Sequence, residues 1–176
     1  MSIVTEHLEQ RGAAFEALAH RQAYTSIDEA RALGIDADEV LKTLAVRTAP
    51  GYVLMVIPAA RRLDLHLVRQ ALGDNHARLA TEEELGRDFP DYQLGALPPL
   101  RALVGANVYV DPEVLRHDTV AFAAGTQTES IKCRPGAVRD RRDHDRDAGQ
   151  AAGARQRRPG RVGRLKDLPW RVMVRG

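Results

Sequence analysis

Residues 40–47 and 52–57 are two apolar, β-branched runs on either side of Ala49-Pro50-Gly51. Such runs around a proline–glycine turn predict an antiparallel hairpin. Upstream, Val4 and Leu8 at i, i+4 predict a helix over residues 3–11 that stops at Gly12, and residues 14–18 read as a short strand. Asp28 can cap a helix that runs to Leu33 and closes at Gly34. Downstream, Leu63, Leu67, Ala71 and Leu72 share one helical face, with Gly73 as its stop. Thr81-Glu-Glu-Glu84 reads as a capping box. Residues 107–110 read as a strand, followed by Asp111 as an N-cap and Pro112 in a first turn. Residues 120–124 and 130–133 complete the set as strands. Hairpins and single helices are mixed and no internal repeat is present. The expected class is a mixed α/β sheet and not a regular doubly wound one.

At 176 residues one domain is expected, and an apolar share of 44% suits a soluble globular protein. The longest apolar run, residues 52–60, is too short to span a bilayer, so no membrane role is expected. The N-terminus lacks the basic and apolar segments of a secretory leader. One cysteine, Cys133, excludes an internal disulfide framework and fits a reducing, cytoplasmic setting.

The net charge of +2 hides a division. Residues 1–132 carry 13 Lys and Arg against 19 Asp and Glu, a net of −6. Residues 133–176 carry 13 Lys and Arg against 5 Asp, a net of +8. Two regions are therefore expected: a folded domain over 1–132 and a basic, low-complexity segment over 133–176. The second region has no apolar periodicity before Val162 and cannot bury enough surface to offset its chain entropy, so a disordered or weakly docked segment is expected. Three readings of it stay open. One is a nucleic-acid-binding arm. Another is out-of-frame translation of a GC-rich gene, since Arg, Ala, Gly, Pro and Asp dominate. The third is a closing strand, from the period-two alternation of Trp170, Val172 and Val174.

Within the hairpin, Lys42 interrupts the apolar segment Val40-Leu41-Lys42-Thr43-Leu44. A half-buried ammonium is costly unless something anionic meets it, although a lysine can also snorkel from a strand edge. Further along, Gly95-Ala-Leu-Pro98-Pro99 makes a stiff loop poor in donors. The six histidines (His7, His20, His66, His76, His117 and His144) show no i, i+4 pair and no cysteine at ligand spacing. No metal site is expected.

These pieces occur in a recognisable order. Thr25-x-x-x-Glu29-Ala30-x-x-Leu33-Gly34 is followed by Val40-Leu-Lys42-Thr-Leu44 and Tyr52-Val-Leu-Met-Val-Ile-Pro58. Then come Leu63-Asp64-Leu65, Arg78-Leu-Ala80, Gly95-x-x-Pro98-Pro99, Val108-Tyr-Val-Asp111 and Phe122-Ala-Ala-Gly125. As an ordered set they resemble the YbaK and prolyl-tRNA-synthetase-associated group of aminoacyl-tRNA deacylases. The resemblance implies a barrel-like curled sheet with flanking helices around one pocket. It implies hydrolysis of the ester between an amino acid and the 3′-terminal adenosine of a mischarged tRNA, with no metal or organic cofactor. Aminoacyl-tRNA is the implied partner, with an aminoacyl-tRNA synthetase as a second, and the oligomeric state is left open.

By the same resemblance, Lys42 matches the functional lysine, and Gly95 the glycine whose loop faces the ester and terminal ribose. Pro98 and Pro99 match the prolines that shape that loop. Gly125 and Gln127 fall at the late strand's end, where relatives commonly read Thr-His-Thr-Glu and this chain reads Thr126-Gln127-Thr128-Glu129. Glutamine cannot titrate, although it donates and accepts hydrogen bonds. Tyr24 reads either as a stacking platform for the terminal adenine or as a core tyrosine. His20, nearby, reads as a surface or a site residue. Cys133 reads as a buried thiol, and Asp64 and Asp111 as helix caps. Two function classes follow: a trans-acting editing deacylase, and a non-catalytic tRNA-end-binding module of the same fold.

Overall fold

The computed structural model describes residues 2–139 and 174–175. In chain order, α1 (Ile3–Gln10) and β1 (Phe15–Ala19) lead to α2 (Ser26–Leu33) and the hairpin of β2 (Leu41–Thr48) and β3 (Gly51–Pro58). Then follow β4 (Arg62–Leu63), α3 (Leu65–Leu72), β5 (Arg78–Leu79), α4 (Glu82–Asp88) and α5 (Arg101–Val104). The described chain ends with β6 (Asn107–Val110), β7 (Val120–Ala123), β8 (Glu129–Cys133) and β9 (Val174–Arg175). Single 3₁₀ turns occupy Pro112–Arg116 and Pro135–Ala137.

The hairpin forms in the expected register, with Leu41 opposite Pro58 and Thr48 opposite Gly51. β3 is one of the two interior strands of a four-stranded sheet ordered β5-β2-β3-β6, and its pairing with β6 is parallel. Six of its residues, Val53 to Pro58, are buried, because both faces are covered. On one face Met55 and Ile57 pack with Val68 of α3, Ala77 and Tyr109. On the other, Val56 joins Val4, Leu8, Phe122 and Ile131 in the main core. Full burial of a side chain such as Phe122 contributes roughly 2–3 kcal/mol.

The strands do not close into the expected barrel. A second sheet, ordered β1-β8-β7, is antiparallel throughout. It meets the first at a single parallel bridge, Val40 to Ala121. The amides of Ala121 and Ala59 donate to the carbonyls of Glu39 and Val40 at that point. One bridge holds the sheets side by side but cannot propagate a ladder. α2 packs over the junction, with Ala30 against Val40, Ala59 and Ala121.

Three local expectations also shift. The cap of α2 is Thr25, whose side chain accepts from the Asp28 amide at 3.1 Å, so the helix starts before Asp28. Leu63 lies in β4, because Asp64 caps α3 and starts it at Leu65. The packed chain also continues past residue 132: β8 runs to Cys133, and Val138 is buried in the main core. Residues 140–173 of the expected basic segment lie outside the described residues. Beyond them, Val174 and Arg175 pair antiparallel with Leu63 and Arg62.

Candidate functional site

Three connections converge at one end of the β1-β8-β7 sheet: residues 20–25 after β1, residues 89–100 after α4, and residues 124–128 between β7 and β8. Gln127 ties them together. Its backbone oxygen accepts from the Ala23 amide at 2.8 Å. Its side-chain oxygen accepts from Gln22 Nε2 at 3.0 Å, and its Nε2 donates to the Leu94 carbonyl at 2.9 Å. Its own amide donates to Gln93 Oε1 at 2.8 Å. The Gln93 amide in turn donates to the carbonyl of Gly125 at 2.9 Å.

Both glycines are required by this packing. Gly95 has φ +82°, and a Cβ there would stand 2.8 Å from the carbonyl oxygen of Tyr24. Gly125 has φ +90°, and a Cβ there would stand 3.1 Å from the Tyr92 ring. The expectation for Gly95 was close approach of its backbone to a ligand; the approach observed is to a neighbouring loop. Pro98 and Pro99 are buried, so they shape the loop from behind. Tyr24 is 65% exposed and Leu94 40% exposed, which overturns the core reading of Tyr24 and leaves two apolar groups on the rim. The structure thus brings together Tyr24, Gly95, Gly125 and Gln127. Gln22 and Gln93, which complete the ties, carry no sequence signal of their own.

Lys42 stands apart from this hydrogen-bonded cluster. It is half-buried on β2, and its Nζ donates to the Ala59 carbonyl at 3.2 Å. Burial lowers its affinity for the proton, and the Arg62 charge lowers it further. Among the described residues no carboxylate pairs with it. These two cations, neither of them ion-paired among the described residues, make a locally positive spot, suited to a phosphate or a developing oxyanion.

The remaining candidates are quiet. Burial pushes the Cys133 thiol up to about 11, so it is no nucleophile at neutral pH. Asp64 and Asp111 act as caps, Asp111 accepting from the Glu113 amide at 3.0 Å. Among the described residues no group of three His, Cys, Asp or Glu could hold a metal ion. No helix among them is long and apolar enough to cross a membrane.

Residues 20–140 match the model of the aminoacyl-tRNA editing domain. A proline–tRNA ligase of Thermosipho melanesiensis is 29% identical over 84 residues, 47% of this chain but 15% of the ligase. The chain therefore spans only a small part of that relative. Among solved structures, the hypothetical protein APE2540 superposes with a TM-score of 0.67 at 26% identity, covering 76% of this chain and 89% of its own. A candidate trans-editing enzyme for prolyl tRNA synthetase gives the same TM-score at 24% identity, covering 78% and 90%, and speaks for the fold alone. The match over residues 20–140 spans the three converging connections and Lys42, and on that ground the chain belongs to the aminoacyl-tRNA editing domain family.

Proposed function

We propose that this protein hydrolyses the ester between an amino acid and the 3′-terminal adenosine of a mischarged tRNA. The observation that carries the reading is Lys42, a half-buried cation whose hydrogen-bond partner is the neutral carbonyl of Ala59. An aminoacyl ester is activated, so its hydrolysis needs a placed water and a stabilised oxyanion more than a strong nucleophile. The water oxygen bonds to the carbonyl carbon, the carbon–ribose oxygen bond breaks, and the ribose oxygen takes up a proton. A neighbouring ribose hydroxyl can relay that proton. In this reading Lys42 meets the terminal phosphate or the oxyanion, and Tyr24 stacks on the terminal adenine. Such a role fits a cytoplasmic protein acting beside a prolyl-tRNA synthetase.

A second reading is a tRNA-end binder without catalysis. The observation in its favour is Gln127, which fills the usual histidine position and whose side chain is already committed to Gln22 and Leu94. Incubation with a panel of mischarged tRNAs separates the two. Release of an amino acid above the spontaneous rate supports the deacylase, and tight binding without release supports the binder.

A further inference from the structure

Ser130 is fully buried at the start of the sheet's middle strand, and Glu29 on α2 is 4% exposed. The serine Oγ lies 2.5 Å from Glu29 Oε1 and 2.8 Å from His20 Nε2. The other ring nitrogen, His20 Nδ1, lies 2.8 Å from the carbonyl oxygen of Arg21. A carbonyl oxygen only accepts, so Nδ1 carries a hydrogen. That fixes what the remaining groups can do. If Ser130 donates to an ionised Glu29, Nε2 must also carry a hydrogen to reach Oγ, and the ring is cationic. If Glu29 is protonated, it donates to Oγ, Ser130 donates to Nε2, and the ring is neutral. Both complete states hold the same single titratable proton. Remove it, and the one serine hydrogen serves either Glu29 Oε1 or His20 Nε2, leaving the other contact lone pair to lone pair. Add another, with the acid proton on Oε1, and the serine hydroxyl loses its acceptor.

We propose that His20 is a positioning residue for the tRNA end, and that Glu29, Ser130 and His20 form a single-proton latch on residues 20–25. The inference rests on reading the loop cluster as the tRNA-end site. His20 is where this loop leaves β1, and its amide donates to the Thr128 carbonyl at 2.9 Å. Three residues on, Ala23 is tied to Gln127, and the next carbonyl, of Tyr24, abuts Gly95. A latch at His20 therefore sets where Tyr24 stands.

The charged neighbours do not substitute for the latch. On α2, Asp28 and Arg31 pair with each other at 3.5 Å. Asp38, before β2, pairs with Arg61 at 3.4 Å, near Asp36 and Glu39. β8 carries Glu129 and Lys132, β1 carries Glu16 opposite Lys132, and Arg21 follows His20. β7 has no titratable side chain. Among the described residues none of these pairs with Glu29 or His20. Burial holds the Glu29 carboxyl up at about 7, which brings both complete states within reach near neutral pH.

The test is ¹⁵N NMR of the His20 imidazole in the full chain, for wild type, Glu29→Gln and Ser130→Ala, with the pH dependence of KM for mischarged tRNA beside it. A glutamine mimics the protonated acid and removes the charge that favours imidazolium. The His20 midpoint should fall in Glu29→Gln, because the charge that favours imidazolium is gone. It should also move in Ser130→Ala, and the neutral ring in wild type should be the Nδ1–H tautomer. The KM profile of Glu29→Gln should move with the His20 midpoint. Midpoints within about 0.2 unit of wild type in whichever variants fold overturn the latch, as does a neutral Nε2–H tautomer in wild type. A KM profile that stays fixed while the midpoint moves overturns the positioning role. A wild type that releases no amino acid overturns the deacylase reading instead, and the His20 titration still decides the latch.

Discussion

The carbonyl oxygen of Tyr24 occupies the space beside Gly95 so closely that a methyl group on that glycine would stand 2.8 Å from it. Two loops distant in sequence are thereby locked edge to edge. The contact is with backbone, which cannot swing aside as a side chain can. Together with φ +82° at Gly95, it predicts that Gly95→Ala lowers both stability and activity. The expected loss of stability is about 1–3 kcal/mol. Gly125→Ala should cost less, because the Tyr92 ring at 3.1 Å can tilt. Chemical denaturation of the two variants measures the difference, and the reverse order would contradict this packing.

Lys42 yields a prediction of the opposite kind. Its ammonium makes one hydrogen bond, to a carbonyl, and burial already disfavours its charge. Lys42→Ala should therefore change stability by no more than about 1 kcal/mol. If the proposed chemistry holds, it should reduce deacylation by about 100-fold or more. Single-turnover release of amino acid, run beside thermal unfolding, reads both. Near wild-type release by a folded Lys42→Ala protein would remove the lysine from the site.

Gln127 holds three loops through hydrogen bonds of its side chain and backbone. Gln127→Ala removes the side-chain bonds to Gln22 and Leu94 and leaves the backbone ones. At about 1 kcal/mol per bond, and less where exposed, the global cost should be small. The local cost should appear as faster amide exchange at Ala23 and a raised KM. Unchanged exchange at Ala23 would mean that the backbone ties suffice.

Much of this was legible from the sequence because the signals were local. The β2–β3 hairpin, the capping box at Thr81 and the glycine stops at Gly34 and Gly73 each depend on residues within a few positions. Failure to close a barrel was not legible, since it turns on one long-range bridge between Val40 and Ala121. Nor was the Glu29–Ser130–His20 chain: Glu29 is an acidic residue on a short amphipathic helix, and only packing against the second sheet buries it. Lys42 and Gly95 were singled out by residue type in context, yet the partners of both, Ala59 and Tyr24, emerged only from the fold.

Glu29 also predicts an unusual response of stability to pH. Its carboxyl titrates near 4.5 in an unfolded chain and at about 7 in the fold. A raised value means that the folded state holds the proton more tightly. The group's contribution is complete below the lower value and is lost as pH rises through the upper one. Wild type should therefore lose stability between pH 5 and pH 8, on the order of 3 kcal/mol from this group. Glu29→Gln should flatten that slope. Melting temperatures across the range test it, and equal slopes for the two proteins would place the ionisation elsewhere.

The last prediction concerns the far end of the chain. Val174 is 9% exposed and packs with Met55, Ile57 and Val68, while Arg175 reaches Asp64 at 2.9 Å. Asp64 is also the cap of α3, accepting from the amides of His66 and Leu67. The strand thus covers the open side of β4 and braces a helix start. Removal of residues 140–176 uncovers an apolar patch and a strand edge. It should lower the melting temperature by roughly 5 °C, corresponding to about 1 kcal/mol. Arg175→Ala should cost less than half of that, since the ion pair is largely exposed and Val174 supplies the burial. If the truncated chain also shows a flatter salt dependence of tRNA binding, the basic segment adds phosphate contacts as well. A truncated protein that melts with the full chain would show that β9 adds nothing to the fold.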